Sequence, residues 1–139
     1  MIARAYFALL LAAFADNSFS QGILANHPLI GRWVWTLPHN NCTEDHTFTA
    51  DGRMIGTSGK EESEDQVIEI APPNERGGYK ITAKSVRDTG GPDCGDSMTD
   101  MTGQTWTVYL FFNPSRQMHI RCFEPDGAKC VGPFRRVER

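Results

Sequence analysis

The sequence predicts an all-β fold, an antiparallel eight-stranded up-and-down barrel preceded by a signal peptide. Three observations predict it. After residue 20 the chain shows no helical periodicity, and short runs of β-branched and aromatic residues alternate with turn chemistry at hairpin spacing. The strand-like run Trp106-Thr107-Val108-Tyr109-Leu110-Phe111-Phe112 splits cleanly into two faces, Trp106, Val108, Leu110 and Phe112 against Thr107, Tyr109 and Phe111. Cys42, Cys94, Cys122 and Cys130 form an even set behind an export-like leader, which favours disulfides.

The leader comes first. Arg4 supplies a positive start, Ala5 to Ala13 is an apolar run too short to span a bilayer, and small residues follow. Cleavage fits after Ala15, behind Ala13-Phe14-Ala15, or after Ser20, behind Ser18-Phe19-Ser20. The chain thus divides into a signal peptide over 1–20, an extended N-terminal segment over 21–30, and a barrel domain over 31–139. A body of about 120 residues supports one domain with one core. The expected location is exported, either periplasmic or secreted.

Eight strands follow, at about 31–37, 44–50, 53–59, 66–71, 78–87, 104–112, 116–123 and 129–137. Asp51-Gly52 is a hairpin signal, and Pro72-Pro73-Asn74 with Gly77-Gly78 interrupts any strand. Gly90 to Gly95 reads as loop, and Asn113-Pro114-Ser115 as a turn. In the seventh strand, Met118, Ile120 and Cys122 share one side and His119 and Arg121 the other.

The last hairpin allows a sharper deduction. Glu124-Pro125-Asp126-Gly127 fits a type I turn followed by a left-handed glycine, which sets Cys122 opposite Cys130. Directly opposed cysteines lie within disulfide reach, and this register makes them a hydrogen-bonded pair. Pairing Cys122 with Cys130 leaves Cys42 for Cys94. Zinc is the competing use of four cysteines, but no Cys-x-x-Cys occurs.

In an up-and-down barrel the loops after odd strands gather at one end. That mouth collects Pro38 to Thr43, Gly59 to Asp65, Asp88 to Met101 and the Glu124 turn, with all the cysteines. Its acidic residues Glu44, Asp45, Glu61, Glu62, Glu64, Asp93, Asp96 and Asp100 are the candidate binding residues, because one-signed clustering attracts a cationic partner. The competing explanation is that loops carry charge simply because they are solvated. The overall charge of −3 argues against nucleic acid as a partner, and no polybasic patch offers a membrane contact after leader removal.

Chemistry-bearing patterns are otherwise sparse. No Gly-x-Ser-x-Gly elbow is present, and the glycine pairs do not join a strand to a helix. His27, His39, His46 and His119 lack metal-ligand spacing, and Met98 and Met101 beside Cys94 give only a thin copper motif. No catalytic residue, metal or cofactor is therefore nominated. The aromatic set, including Trp33, Trp35, Phe48 and Trp106, could line a cavity, although an eight-strand barrel this small can fill itself.

Gly31-x-Trp33 opening the first strand, the eight-strand meander, and Arg135-Arg136 near the last strand resemble the lipocalin-like (calycin) barrels, especially small bacterial periplasmic ones. The resemblance implies that Arg135 or Arg136 stacks on Trp33 and closes the barrel floor, as structure and not as catalysis. A lesser resemblance, carried by Gly31-Arg32-Trp33 and the following Cys42, is to periplasmic metalloprotease inhibitors. It implies that the extended N-terminal segment enters a protease cleft.

The expected function is a monomeric, non-enzymatic binding module that takes an unknown small ligand or a cationic protein surface at its acidic mouth. The alternatives are an inhibitor of a secreted protease or other hydrolase, and a metal-binding protein or small hydrolase.

Overall fold

The computed structural model describes residues 22–138, so the leader lies outside the described residues. Eight antiparallel strands close into a barrel in chain order: β1 (Gly31–Thr36), β2 (Thr43–Phe48), β3 (Arg53–Ser58), β4 (Glu61–Ile70), β5 (Tyr79–Asp88), β6 (Thr105–Phe112), β7 (Met118–Cys122) and β8 (Cys130–Val137). No helix occurs among the described residues. Closure by β1 against β8 removes the free sheet edges that an open meander would expose. That closing ladder covers only Arg32 to Val34. Continuing its register would set Thr36 opposite Pro133, which has no N–H to give.

The fourth strand begins at residue 61, not near 66 as expected. The expected mouth loop from Gly59 to Asp65 is in fact a tight Gly59-Lys60 turn, with Gly59 at φ 60°, followed by strand. Charged residues are depleted in strands on average, which is why the run Glu61-Glu62-Ser63-Glu64-Asp65 reads as loop. Tertiary pairing overrides that preference. The outward Glu64 meets Arg53 at 2.7 Å and the outward Glu62 meets Arg87 at 3.9 Å, while Glu61, Ser63 and Asp65 face inward.

The N-terminal stretch is also corrected. From residue 22 it is coiled, not extended: Ala25 N–H donates to Gly22, His27 to Leu24 and Ile30 to His27. Leu24 and Leu29 are fully buried in the core, so this segment plugs the barrel floor. It is not a free arm.

Both disulfides pair as deduced, Cys42 with Cys94 and Cys122 with Cys130. The hydrogen-bonding parity of the second differs from expectation. Phe123 N–H donates to the Lys129 carbonyl at 3.1 Å, which leaves Cys122 and Cys130 a non-hydrogen-bonded pair with Cα atoms 4.0 Å apart. Lys129, at φ 54°, leaves the extended region beside Cys130 and breaks the parity that a regular hairpin would keep.

Candidate functional site

Alternation puts every second side chain of each strand inside, and those inward residues change character along the barrel axis. Running from floor to mouth, β2 presents Phe48, His46 and Glu44; β4 presents Val67, Asp65, Ser63 and Glu61; β5 presents Ile81, Ala83, Ser85 and Asp88. β3 likewise passes from Met54 to Ser58, and β7 contributes His119 and then Arg121. The lower half is packed shut around Trp33, Phe48, Leu24, Leu29, Ile81 and Leu110. The upper half is hollow.

Phe134 of β8 marks the boundary. Its ring lies 5.3 Å from the His119 ring in near-parallel stacking, 5.5 Å from His46, and 4.1 Å from the Arg121 guanidinium carbon. Above it lies a cavity of about 420 Å³, open at the mouth and lined by Trp35, Trp106, Phe123 and Val131 together with the polar residues. That volume falls within the range of small-ligand sites. Gly56 of β3 is what gives His46 its place, because a Cβ there would sit 2.7 Å from the imidazole Cδ2.

Five carboxylates line this cavity, Glu44, Glu61, Asp65, Asp88 and Asp93, with Arg121 the single formally cationic residue among them. Their environments differ. Partial burial, together with the charges of Asp88, Asp93, Glu44 and Asp65, pushes the Glu61 carboxyl up to about 7. Desolvation also raises Asp65, opposed by Ser85, the Trp106 indole and Arg121. Glu44 is raised by desolvation, against the pull of Arg121 and of the Ser58 hydroxyl that donates to it at 3.2 Å. Asp88 accepts Gly90 N–H at 2.7 Å and Met101 N–H at 3.0 Å, which ties both ends of the β5–β6 loop to the rim.

Arg121 is the oddity of the site. Enclosure lowers its guanidinium to about 10, with Glu44 and Asp65 pulling it back up. Its Nη2 is buried without a hydrogen-bond partner among the described residues. His46, 7% exposed, similarly leaves Nδ1 unpartnered, and burial followed by Arg121 and His119 drives its pKa well down, so the ring is neutral. The 4.0 Å approach of His46 to Glu44 is therefore not an ion pair.

The rim is covalently braced. The Cys42–Cys94 bond joins the β1–β2 and β5–β6 loops, Asn40 donates to the Cys94 carbonyl at 2.9 Å, and Cys94 N–H donates to the Ser58 hydroxyl at 3.0 Å. Lys60 N–H reaches the Pro92 carbonyl at 2.9 Å, so the β5–β6 loop is pinned across the β3–β4 turn.

Of the candidate acidic residues, the structure brings together Glu44, Glu61 and Asp93. Asp45 faces outward and holds Arg32, whose Nε donates to it at 3.0 Å. Glu62 and Glu64 are outside the barrel, and Asp96 and Asp100 are exposed on the β5–β6 loop, Asp100 accepting Thr102 N–H at 2.9 Å. The candidate binding residues omitted Asp65, Asp88, Arg121 and His46, while Trp35 and Trp106, named as possible cavity-lining aromatics, do line it. The signal for Asp65 was available, since it shares the two-residue period of Glu61, Ser63 and Val67. Trp33 stacks on Arg136, at 4.2 Å, while Arg135 points away toward the Met118 sulfur. Among the described residues no group of three or more His, Cys, Asp or Glu is arranged to hold a metal ion.

No protein-family model, curated protein or solved structure matches this chain. Fold and site together define its class: a disulfide-braced, closed antiparallel β-barrel with a packed floor and a hollow, polar mouth, consistent with a lipocalin-like barrel.

Proposed function

We propose that the protein is an exported, non-enzymatic barrel of lipocalin-like type that carries a small polar ligand in the mouth half of its interior. The observation that supports this reading is the switch from apolar to polar inward residues on several strands, coinciding with the start of a cavity of about 420 Å³. A barrel that merely needed filling gains nothing from buried carboxylates and an unpartnered guanidinium, which cost desolvation energy. A polar ligand in the cavity would give these groups partners. Two disulfides and no free cysteine suit an oxidising compartment, in keeping with the export leader.

Small-ligand binding is favoured over protease inhibition because the segment needed for a cleft-entering arm is folded against the floor from residue 22 onward. Trp35 and Trp106 line the cavity and serve as reporters. Native mass spectrometry of the processed protein from its natural source is expected to retain a small molecule that denaturation releases. Adding that molecule back should change tryptophan fluorescence, and the change should shrink in Trp106→Phe. Absence of any retained mass, with a crystal structure showing the mouth half filled by side chains, overturns the reading.

A further inference from the structure

The ligand class can be taken further, resting on the reading that the cavity binds a small molecule. We infer that the site takes a small organic zwitterion, with an ammonium group among Glu61, Asp88 and Asp93 at the rim and a carboxylate or similar acceptor at its far end, on the Arg121 guanidinium.

The two ends of the cavity differ in what they lack. At the rim, the carboxylates of Glu61, Asp88 and Asp93 from β4, β5 and the β5–β6 loop converge, and the one cationic lining residue, Arg121, lies deeper on β7, so the excess of negative charge favours a bound positive charge. There Arg121 lies over the Phe134 ring, its guanidinium carbon 4.1 Å from the centroid, and its Nη2 has no hydrogen-bond partner among the described residues. Glu44 and Asp65 act on it by charge alone, since neither forms a hydrogen bond to that nitrogen. A purely cationic ligand would leave Arg121 unsatisfied and add repulsion to it. A purely anionic ligand would have to pass the acidic rim. A molecule carrying both groups satisfies both ends, and Trp35 and Trp106 supply apolar walls for the carbon frame between them.

The rim also couples binding to protons. Glu61 faces Glu44 on β2, Asp88 on β5, Asp93 on the loop, Asp65 on its own strand and Arg121 on β7, and the excess of negative charge holds part of it protonated near neutrality. An arriving ammonium favours the carboxylate form, so binding expels a proton.

Isothermal titration of the processed, disulfide-intact protein tests this with ω-aminoalkanoates of increasing chain length, each beside its matched alkylamine, alkanoate and alcohol. One aminoalkanoate is expected to bind at least about tenfold tighter than its matched alkylamine and alkanoate. Glu61→Gln should weaken the aminoalkanoate and the alkylamine by about tenfold and spare the alkanoate, while Arg121→Gln should weaken the aminoalkanoate and the alkanoate and spare the alkylamine. Should Arg121→Gln fail to fold, Glu61→Gln and the ranking of unmodified protein still decide. At mildly acidic pH the measured heat should vary with buffer ionisation enthalpy as protons are released. Equal affinity for aminoalkanoate and alkylamine, or tighter binding of the alkanoate or the alcohol, overturns the zwitterion assignment while leaving a ligand-binding cavity. Failure of every probe, together with no retained natural ligand, overturns both.

Discussion

Arg136 stacks its guanidinium 4.2 Å from the Trp33 ring and, with the same group, donates to the Ile30 carbonyl at 2.7 Å and the Pro28 carbonyl at 2.6 Å. Trp33 answers by donating its indole N–H to the Leu29 carbonyl at 2.7 Å. Two side chains from the first and last strands thus bind one short N-terminal segment, and the floor is closed by the same contacts that close the barrel. The sealed floor leaves the mouth as the open end of the barrel interior.

Removing that group should be costly. Arg136→Ala loses a cation–π contact of about 0.5–2 kcal/mol and two charge-assisted hydrogen bonds, so a total loss of about 2–4 kcal/mol is expected in denaturant unfolding. Arg135→Ala, outside the floor, should change stability by less than about 0.5 kcal/mol. Arg136→Lys keeps the charge but not the planar fork and should fall between them.

The two disulfides should differ in worth. Cys42–Cys94 spans a sequence separation of 52, whereas Cys122–Cys130 spans 8. Loop-closure entropy then gives about 4 kcal/mol for the first and about 2.5 kcal/mol for the second. Paired serine replacements should show that order in unfolding midpoints. Loss of Cys42–Cys94 should also reduce ligand affinity, since it frees the loop that carries Asp93.

Much of this architecture was legible in residues whose spacing has a local cause. Period-two alternation in β6, the Asp51-Gly52 turn and the Glu124-Pro125-Asp126-Gly127 turn act over a few residues, and the strands and the Cys122–Cys130 register follow from them. Arg136 on Trp33 follows from the resemblance together with the β1–β8 pairing. What stayed hidden depends on closure. Asp65 and Arg121 look like solvated residues until the eighth strand meets the first and turns their face into an interior. Leu24 and Leu29 lacked any period because they act as two separate plugs, not as an element.

Stability should respond to pH in two opposed ways. Burial first, then Arg121, holds His119 down at about 2; burial and Arg116 hold His27 at about 4; and burial lowers His46 further than its exposed value. The unfolded chain binds protons on these histidines below about pH 6.5 while the folded one does not, so stability falls as pH drops through that range. Glu61, raised to about 7, acts the other way: the folded state keeps its proton longer, and stability is lost as pH rises from about 4.5 to about 7. His119→Phe should therefore gain more in melting temperature at pH 4 than at pH 7. Glu61→Gln should flatten the loss between about pH 5 and pH 7.

The sharpest separation of function from surface charge lies on a single strand. Glu61, Glu62 and Glu64 are close neighbours in sequence, but only Glu61 faces the cavity, while the other two meet Arg87 and Arg53 outside. Exposed ion pairs of that kind contribute at most about 1 kcal/mol. If the acidic field as a whole recruited a cationic protein, reversing Glu62 and Glu64 to Lys would matter as much as changing Glu61. If the interior holds the ligand, Glu62→Lys with Glu64→Lys should leave affinity for the aminoalkanoate within about twofold, and Glu61→Gln alone should weaken it about tenfold. Side-by-side titration of these variants distinguishes the two, because the surface changes alter net charge far more than the single interior substitution does.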